Sequence, residues 1–188
     1  MLNKPIGFKW WLFISVFLFA AGLVLGLTTP VGTADLLPED MAAIEKMVDF
    51  VRPLPPASLF LFILAKNVAA ILISFILSPI LCLVPVMALT LNGWLLGWVA
   101  PGVIAEKSVG YLLAGLLPHG IIELPALIIG EAAALSFGAA VIVSLVKKDR
   151  AKRPLASLMP NLKYLALAMA LLLPAALIEA YITPILLR

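Results

Sequence analysis

The sequence is poor in the residues on which most catalytic and metal-binding sites depend. Its 188 residues include one cysteine and one histidine, and only 12% of them are charged. A single cysteine, Cys82, excludes an intramolecular disulfide and any site that needs several thiolates, so we expect it to be a small packing residue. The scarcity of charge excludes an ordinary soluble domain, in which about a quarter of the residues are charged.

Apolar sequence, by contrast, is abundant. Hydrophobic residues make up 64% of the chain, and they form runs of the length that a helix needs to cross a bilayer, about 20 residues. The net charge of +3 does not indicate nucleic-acid binding, because most of the positive residues cluster at the ends of these runs, as the positive-inside rule expects. We therefore predict an integral membrane protein that contacts lipid and has no nucleic-acid partner.

Hydropathy and proline positions predict a single membrane domain, 1–188, that is all-α and contains about five transmembrane helices. The first apolar run is interpreted as a retained span and not as a cleaved signal peptide. Ser78-Pro79 separates the second and third spans, and Pro85 is expected to kink the third. A segment at 38–52 is predicted to be an amphipathic helix on the outer surface. The predicted spans are 10–28, 57–78, 80–100, 121–146 and 162–187.

The apolar stretch from Ser108 to Val146 is too long for a simple span. As one straight helix it would extend about 58 Å, against a hydrocarbon core of about 30 Å. We therefore predict a break at Pro118 and Gly120, with 108–118 forming a re-entrant half-helix that dips in from the outside. Irregular backbone of this kind is tolerated at membrane depth only when protein or a wet cavity surrounds it.

The distribution of charge predicts the orientation in the cell membrane. Lys4, Lys9 and the basic segment 147–153 are expected in the cytoplasm, and the acidic first loop, 28–56, is expected outside. The N-terminus is then cytoplasmic, and the C-terminus is extracytoplasmic.

Several polar residues fall inside the predicted spans, where they are costly and usually face the interior of a bundle. His119, Glu123 and Glu131 recur at helical spacing and are expected to lie along one stripe. Together they predict a buried polar cluster that consists of Lys66, Asn67, Asn92, His119, Glu123, Glu131 and Glu179.

Three interpretations of this cluster remain open. It can be a structural network that fixes helix register, a proton or ion pathway, or a metal site. The spacing of His119 and Glu123 is not that of the H-E-x-x-H metalloproteases, and a single histidine is fewer than zinc sites usually have. We therefore assign no catalytic residue, no metal ligand and no cofactor.

Two pairs of glycines at four-residue spacing, Gly22 with Gly26 and Gly93 with Gly97, predict close approach of helices.

Three elements of the sequence resemble one known family. They are Asn92-Gly93, the segment PHGIIELPA at 118–126 and the segment EAYITP at 179–184, and they are similar to the stage II sporulation protein M family of small polytopic membrane proteins. The resemblance covers most of the chain from about Ala57. It implies that Asn92, His119, Glu123 and Glu179 are the matching polar positions. It also implies a membrane component that holds partner proteins acting on the cell wall and is not itself the hydrolase.

Our leading hypothesis is therefore a non-enzymatic multi-pass membrane protein that scaffolds other membrane or extracytoplasmic proteins, alone or as a homo-oligomer. The alternative is a channel or transporter whose polar cluster lines a hydrophilic path at a broken helix. A third hypothesis is an intramembrane metalloenzyme.

Overall fold

A computed structural model describes residues 7–29, 53–146 and 152–187, and these are almost entirely helical. Five of the helices are long and apolar enough to cross a membrane, which confirms the predicted all-α bundle of about five transmembrane helices. The amphipathic helix predicted at 38–52 lies outside the described residues. In chain order the helices are α1 (Phe8–Thr28), α2 (Pro56–Leu77), α3 (Leu83–Glu106), α4 (Val109–Val146), α5 (Lys152–Tyr181) and α6 (Thr183–Leu186).

Long apolar runs form helices in lipid because a helix satisfies its own backbone hydrogen bonds where no water can. Two of the prolines lie where helices begin. Pro56 occupies the first turn of α2, where no backbone N–H is needed. Pro85 likewise lies in the first turn of α3. The predicted kink at Pro85 is therefore wrong, since the N–H that proline lacks would have no partner in a first turn anyway.

The predicted break and re-entrant half-helix at 108–118 are also wrong. α4 is one continuous helix of 38 residues that includes both Pro118 and Gly120. A helix this long is accommodated because it does not end level with α2 and α3. The turn between α2 and α3 lies against Gly138, so the last eight residues of α4 extend about 12 Å past that turn. A proline inside a helix removes one backbone hydrogen bond, which a packed bundle tolerates.

Contacts between the helices give their relative directions. Gly22 meets Thr90 and Gly26 meets Trp94, so α1 and α3 run parallel. Asn67 bonds to Glu123 and Ser74 to Glu131, so α2 and α4 also run parallel. Gly130 meets Ala168 and Gly115 meets Leu187, so α5 runs antiparallel to α4, and a short turn reverses the chain between α2 and α3. The five long helices thus alternate in direction, as expected for five successive crossings. Which end faces the cytoplasm remains a prediction.

α1 and α3 form a tightly packed pair through their glycines. A Cβ atom at Gly22, Gly26, Gly93 or Gly97 would collide with a carbonyl oxygen of the facing helix. Small residues of this kind allow two helix backbones to approach closely. The two predicted glycine motifs therefore pack against each other within one chain.

α4 lies at the centre of the bundle and contacts all the other described helices. Its fully buried alanines, Ala126, Ala133 and Ala134, pack against Ile71 of α2 and Leu172 of α5. Small side chains at this position let α2, α4 and α5 pack closely together. The large apolar residues that remain exposed, such as Phe17, Ile76 and Leu145, lie on the outside, where lipid is expected.

The last predicted span, 162–187, differs from the observed helices. α5 begins at Lys152 and continues through Pro160 and Pro174 to Tyr181. A break at Ile182 then separates it from the short helix α6. This break positions Thr183 beside the polar residues of α4.

Candidate functional site

Polar side chains from three helices converge at one level of the bundle. We use "polar cluster" for Asn67 of α2, His119 and Glu123 of α4, and Glu179 of α5. The nearest oxygen of Glu123, Oε2, lies 4.0 Å from His119 Nε2. One donor atom from each of His119, Glu123 and Glu179 lies within 4.8 Å of the other two. The level is close to the middle of α2, since Asn67 lies roughly halfway along that helix.

The helical register explains why these residues meet. His119 and Glu123 are four residues apart and therefore lie on the same face of α4. Asn67 Nδ2 donates a hydrogen bond of 2.9 Å to Glu123 Oε1. Each oxygen of Glu123 thus has its own neighbour: Oε1 accepts from Asn67, and Oε2 faces the histidine.

Thr183 is a member of this site that the sequence analysis missed. Its hydroxyl lies 3.4 Å from His119 Nδ1, and it is buried beside the ring. The same hydroxyl lies 3.4 Å from the carbonyl oxygen of Ile178, to which it can donate. With its proton on Nδ1, His119 would donate to this hydroxyl and present Nε2 to the carboxylates. The signal was present in the sequence, because Thr183 belongs to the segment EAYITP.

Glu179 and Lys66 contribute charge to the same region. Glu179 interacts electrostatically with Glu123, a repulsive contact, and with His119 and Lys66, which are attractive. Lys66 lies on the exposed surface of α2. The structure therefore brings Lys66 near the cluster as a charge on its outer side.

An open cleft reaches the polar cluster from the side of α1 and α3. It has a volume of about 310 Å³ and is lined by Asn92 of α3 together with His119 and Glu123. Its other walls are apolar, among them Phe19 and Val99. Asn92 donates to the carbonyl oxygen of Ala88 in its own helix at 2.7 Å. It thus shares the cleft with the cluster without bonding to it.

Glu131, which the sequence analysis placed in the same cluster, lies apart from it. It follows Glu123 by eight residues on α4, about 12 Å along the axis. Its side chain is fully buried, and the hydroxyl of Ser74 donates to its Oε2. Its Oε1 has no hydrogen-bond partner in the described part of the chain. Ser74 is a second residue that the sequence analysis missed, although it shares a face of α2 with Asn67, seven residues earlier.

Cys82, in the turn before α3, fits its predicted role in packing. Its Sγ lies 3.7 Å from the carbonyl oxygen of Leu135, and burial raises the pKa of the thiol. Such a thiol is a poor nucleophile.

The comparison with known families gives one match. The model of a family described as stage II sporulation protein M matches residues 12–184. No curated protein and no solved structure matches the chain.

Proposed function

This chain belongs to the stage II sporulation protein M family, and on that premise we propose that it is a non-enzymatic membrane protein that assembles partner proteins at the membrane. That family is not a known enzyme family. The multi-pass architecture agrees with such a role, and a scaffold requires a surface of the bundle that another protein covers.

The observation that supports such a surface is the exposure of Lys66 in the middle of a membrane-spanning helix. It lies near the middle of the 22-residue helix α2, about 15 Å from either end, and it is exposed. A charged side chain at the centre of a bilayer costs about 2.5 kcal/mol or more on insertion scales, and only lysines near helix ends can reach the interface. The face of α2 around Lys66 is therefore unsuited to lipid.

A transmembrane partner that covers this face would shield the charge of Lys66 from lipid. Ala70 lies one helical turn from Lys66 and is also exposed, so a small residue adjoins the charge. We propose that the partner places a helix with a polar or acidic residue on this face, because such a residue would pair with Lys66. A second copy of the chain is the other occupant that the same chemistry admits.

Photocrosslinking in native membranes tests this proposal. A photoreactive amino acid at Ala70 is expected to give a protein adduct of defined mass, whereas one at the outward-facing Phe17 gives only lipid adducts. Lys66→Leu should lower the Ala70 adduct at least about fivefold, and Lys66→Arg, which keeps the charge, should retain it. An adduct of twice the chain mass would identify a second copy in place of a partner. The proposal fails if Ala70 and Phe17 both give lipid adducts alone.

The cleft favours a second candidate function, that of a channel or transporter. It brings His119 and Glu123 into contact with a volume large enough for several waters or a small solute. In reconstituted liposomes, a transporter is expected to carry an ion or solute faster than empty vesicles do, and Glu123→Gln should abolish that difference. Equal flux for wild type, Glu123→Gln and empty liposomes would exclude this function.

A further inference from the structure

We propose that His119, Glu123 and Glu179 bind a divalent first-row transition-metal ion, with Zn²⁺ as the best match to their chemistry. The site has one imidazole nitrogen and two carboxylate oxygens. Imidazole is a ligand of Zn²⁺, Fe²⁺ and Ni²⁺, and carboxylates also bind these ions, whereas Mg²⁺ and Ca²⁺ prefer oxygen ligands alone. Affinity within this series favours Zn²⁺ over Mn²⁺ and Fe²⁺.

The positions of the donor atoms carry the proposal. His119 Nε2 and Glu123 Oε2 are 4.0 Å apart, and all three donors lie within 4.8 Å of one another. Ligands of a tetrahedral zinc ion, each about 2.0 to 2.2 Å from the metal, are about 3.3 to 3.6 Å apart. We expect rotation about the side-chain bonds of the two glutamates to close this difference. No movement of a helix is required.

The neighbours of His119 and Glu123 leave one donor atom of each free for a metal. Thr183 occupies Nδ1 of His119 at 3.4 Å and so leaves Nε2 free, and Asn67 occupies Oε1 of Glu123 and so leaves Oε2 free. A hydrogen bond to the second nitrogen of a histidine, or to a carboxylate, is what usually orients metal ligands. Both free atoms face the same point in the bundle.

The charges of the site also favour a bound cation. Glu123 and Glu179 lie close together inside the bundle at the level of Asn67, and two ionised carboxylates there would repel each other. A divalent cation between them would convert this repulsion into attraction. Lys66 carries one positive charge, against two carboxylates, and it lies on the exposed surface.

The cleft provides an open side for the site. His119 and Glu123 line it, so an exchangeable fourth ligand, such as water, can reach the metal from there. Sites with three protein ligands and one open position are typical of zinc that is not purely structural.

Metal titration of the purified protein in detergent tests this inference without any partner. The chain is first freed of metal with a chelator, and Co²⁺ is then added as a coloured substitute for Zn²⁺. Wild type is expected to bind one Co²⁺ per chain, with visible absorption bands that added Zn²⁺ removes. His119→Ala and Glu179→Gln should each weaken binding at least about 100-fold. Thr183→Val, which changes no ligand, should weaken it about tenfold.

Glu131→Gln is the matched control, because it removes a carboxylate from the same helix away from the site. It is expected to bind Co²⁺ as wild type does. The inference is overturned if wild type binds no Co²⁺ and no Zn²⁺ in this titration, a result that does not depend on whether any variant folds. It is also overturned if the ligand variants bind as tightly as Glu131→Gln.

Discussion

Two glutamates on one helix, Glu123 and Glu131, occupy very different surroundings. Glu123 has Asn67 and His119 as neighbours and lines an open cleft. Glu131 is fully enclosed, with Ser74 as its hydrogen-bond partner and one oxygen unpartnered within the described chain. We call the stretch of α4 that includes Gly120 and Glu123 the cleft end, and the stretch that includes Glu131 and Gly138 the core end. The same residue type therefore serves as a candidate ligand at one end and as part of a packed interior at the other.

The difference follows from the residues that surround each carboxylate. The core end is lined by alanines, which allow α2, α4 and α5 to pack closely, and Glu131 has no exposed surface there. At the cleft end, polar residues and a gap between α3 and α4 replace this packing. Substitutions should consequently be more damaging at the core end.

The largest effect is expected for a lysine at each position. Glu131→Lys places a long cationic side chain in the alanine core, where it lacks both space and a partner, so it should lower the free energy of unfolding by about 4 kcal/mol or prevent folding. The lysine in Glu123→Lys can extend into the cleft. This variant should therefore lose about 1 to 2 kcal/mol less unfolding free energy than Glu131→Lys does. Thermal unfolding in detergent, followed by circular dichroism, measures both. Equal losses would contradict the distinction between the two ends.

A smaller effect is expected for alanine in place of a glycine at each end. At Gly138 a Cβ would collide with the backbone carbonyl of Ser78, so Gly138→Ala should cost about 1 to 3 kcal/mol. At Gly120 the nearest side-chain atoms to a Cβ are 3.5 Å away, on Leu116. Gly120→Ala should therefore be neutral or stabilise the helix by up to about 1 kcal/mol.

The Gly120→Ala variant also tests the continuity of α4. If the helix broke at Gly120 with a positive φ angle, alanine there would be strained and the variant would lose stability. A melting temperature at or above that of wild type is the expected result.

The smallest effect is expected for removal of each carboxylate's hydrogen-bond donor. Ser74→Ala leaves Glu131 with no described partner in an enclosed space and should cost about 1 to 2 kcal/mol. Asn67→Ala should cost about 0.5 kcal/mol, because water from the cleft can replace the amide at Glu123. Paired unfolding curves would reveal the order, and a larger loss for Asn67→Ala would indicate that the cleft is dry.

Most members of the polar cluster can be predicted from the sequence, but their setting cannot. His119, Glu123 and Glu179 were identified because ionisable residues are rare in apolar runs, and this signal is local. Glu131 was grouped with them because helical spacing shows that residues share a face, although eight residues place Glu131 about 12 Å from Glu123 along the axis, beside a different part of α2. Thr183 and Ser74 were missed because hydroxyl groups are unremarkable in a membrane helix until a buried partner is known.

The break predicted at Pro118 and Gly120 failed for a related reason. It rested on the length of an apolar run, and length does not tell whether a helix ends level with its neighbours or projects beyond them. Only the contact of Gly138 with the turn after α2 shows that α4 projects.

By itself, therefore, the sequence determined the membrane class, the approximate positions of the first three helices and the identity of the rare polar residues. These properties depend on local composition, because each helix satisfies its own backbone in lipid. The tertiary structure alone decided that Asn67 meets Glu123 and that Ser74 meets Glu131. That outcome depends on the pairing and register of α2 with α4, which arise from packing between segments far apart in the chain.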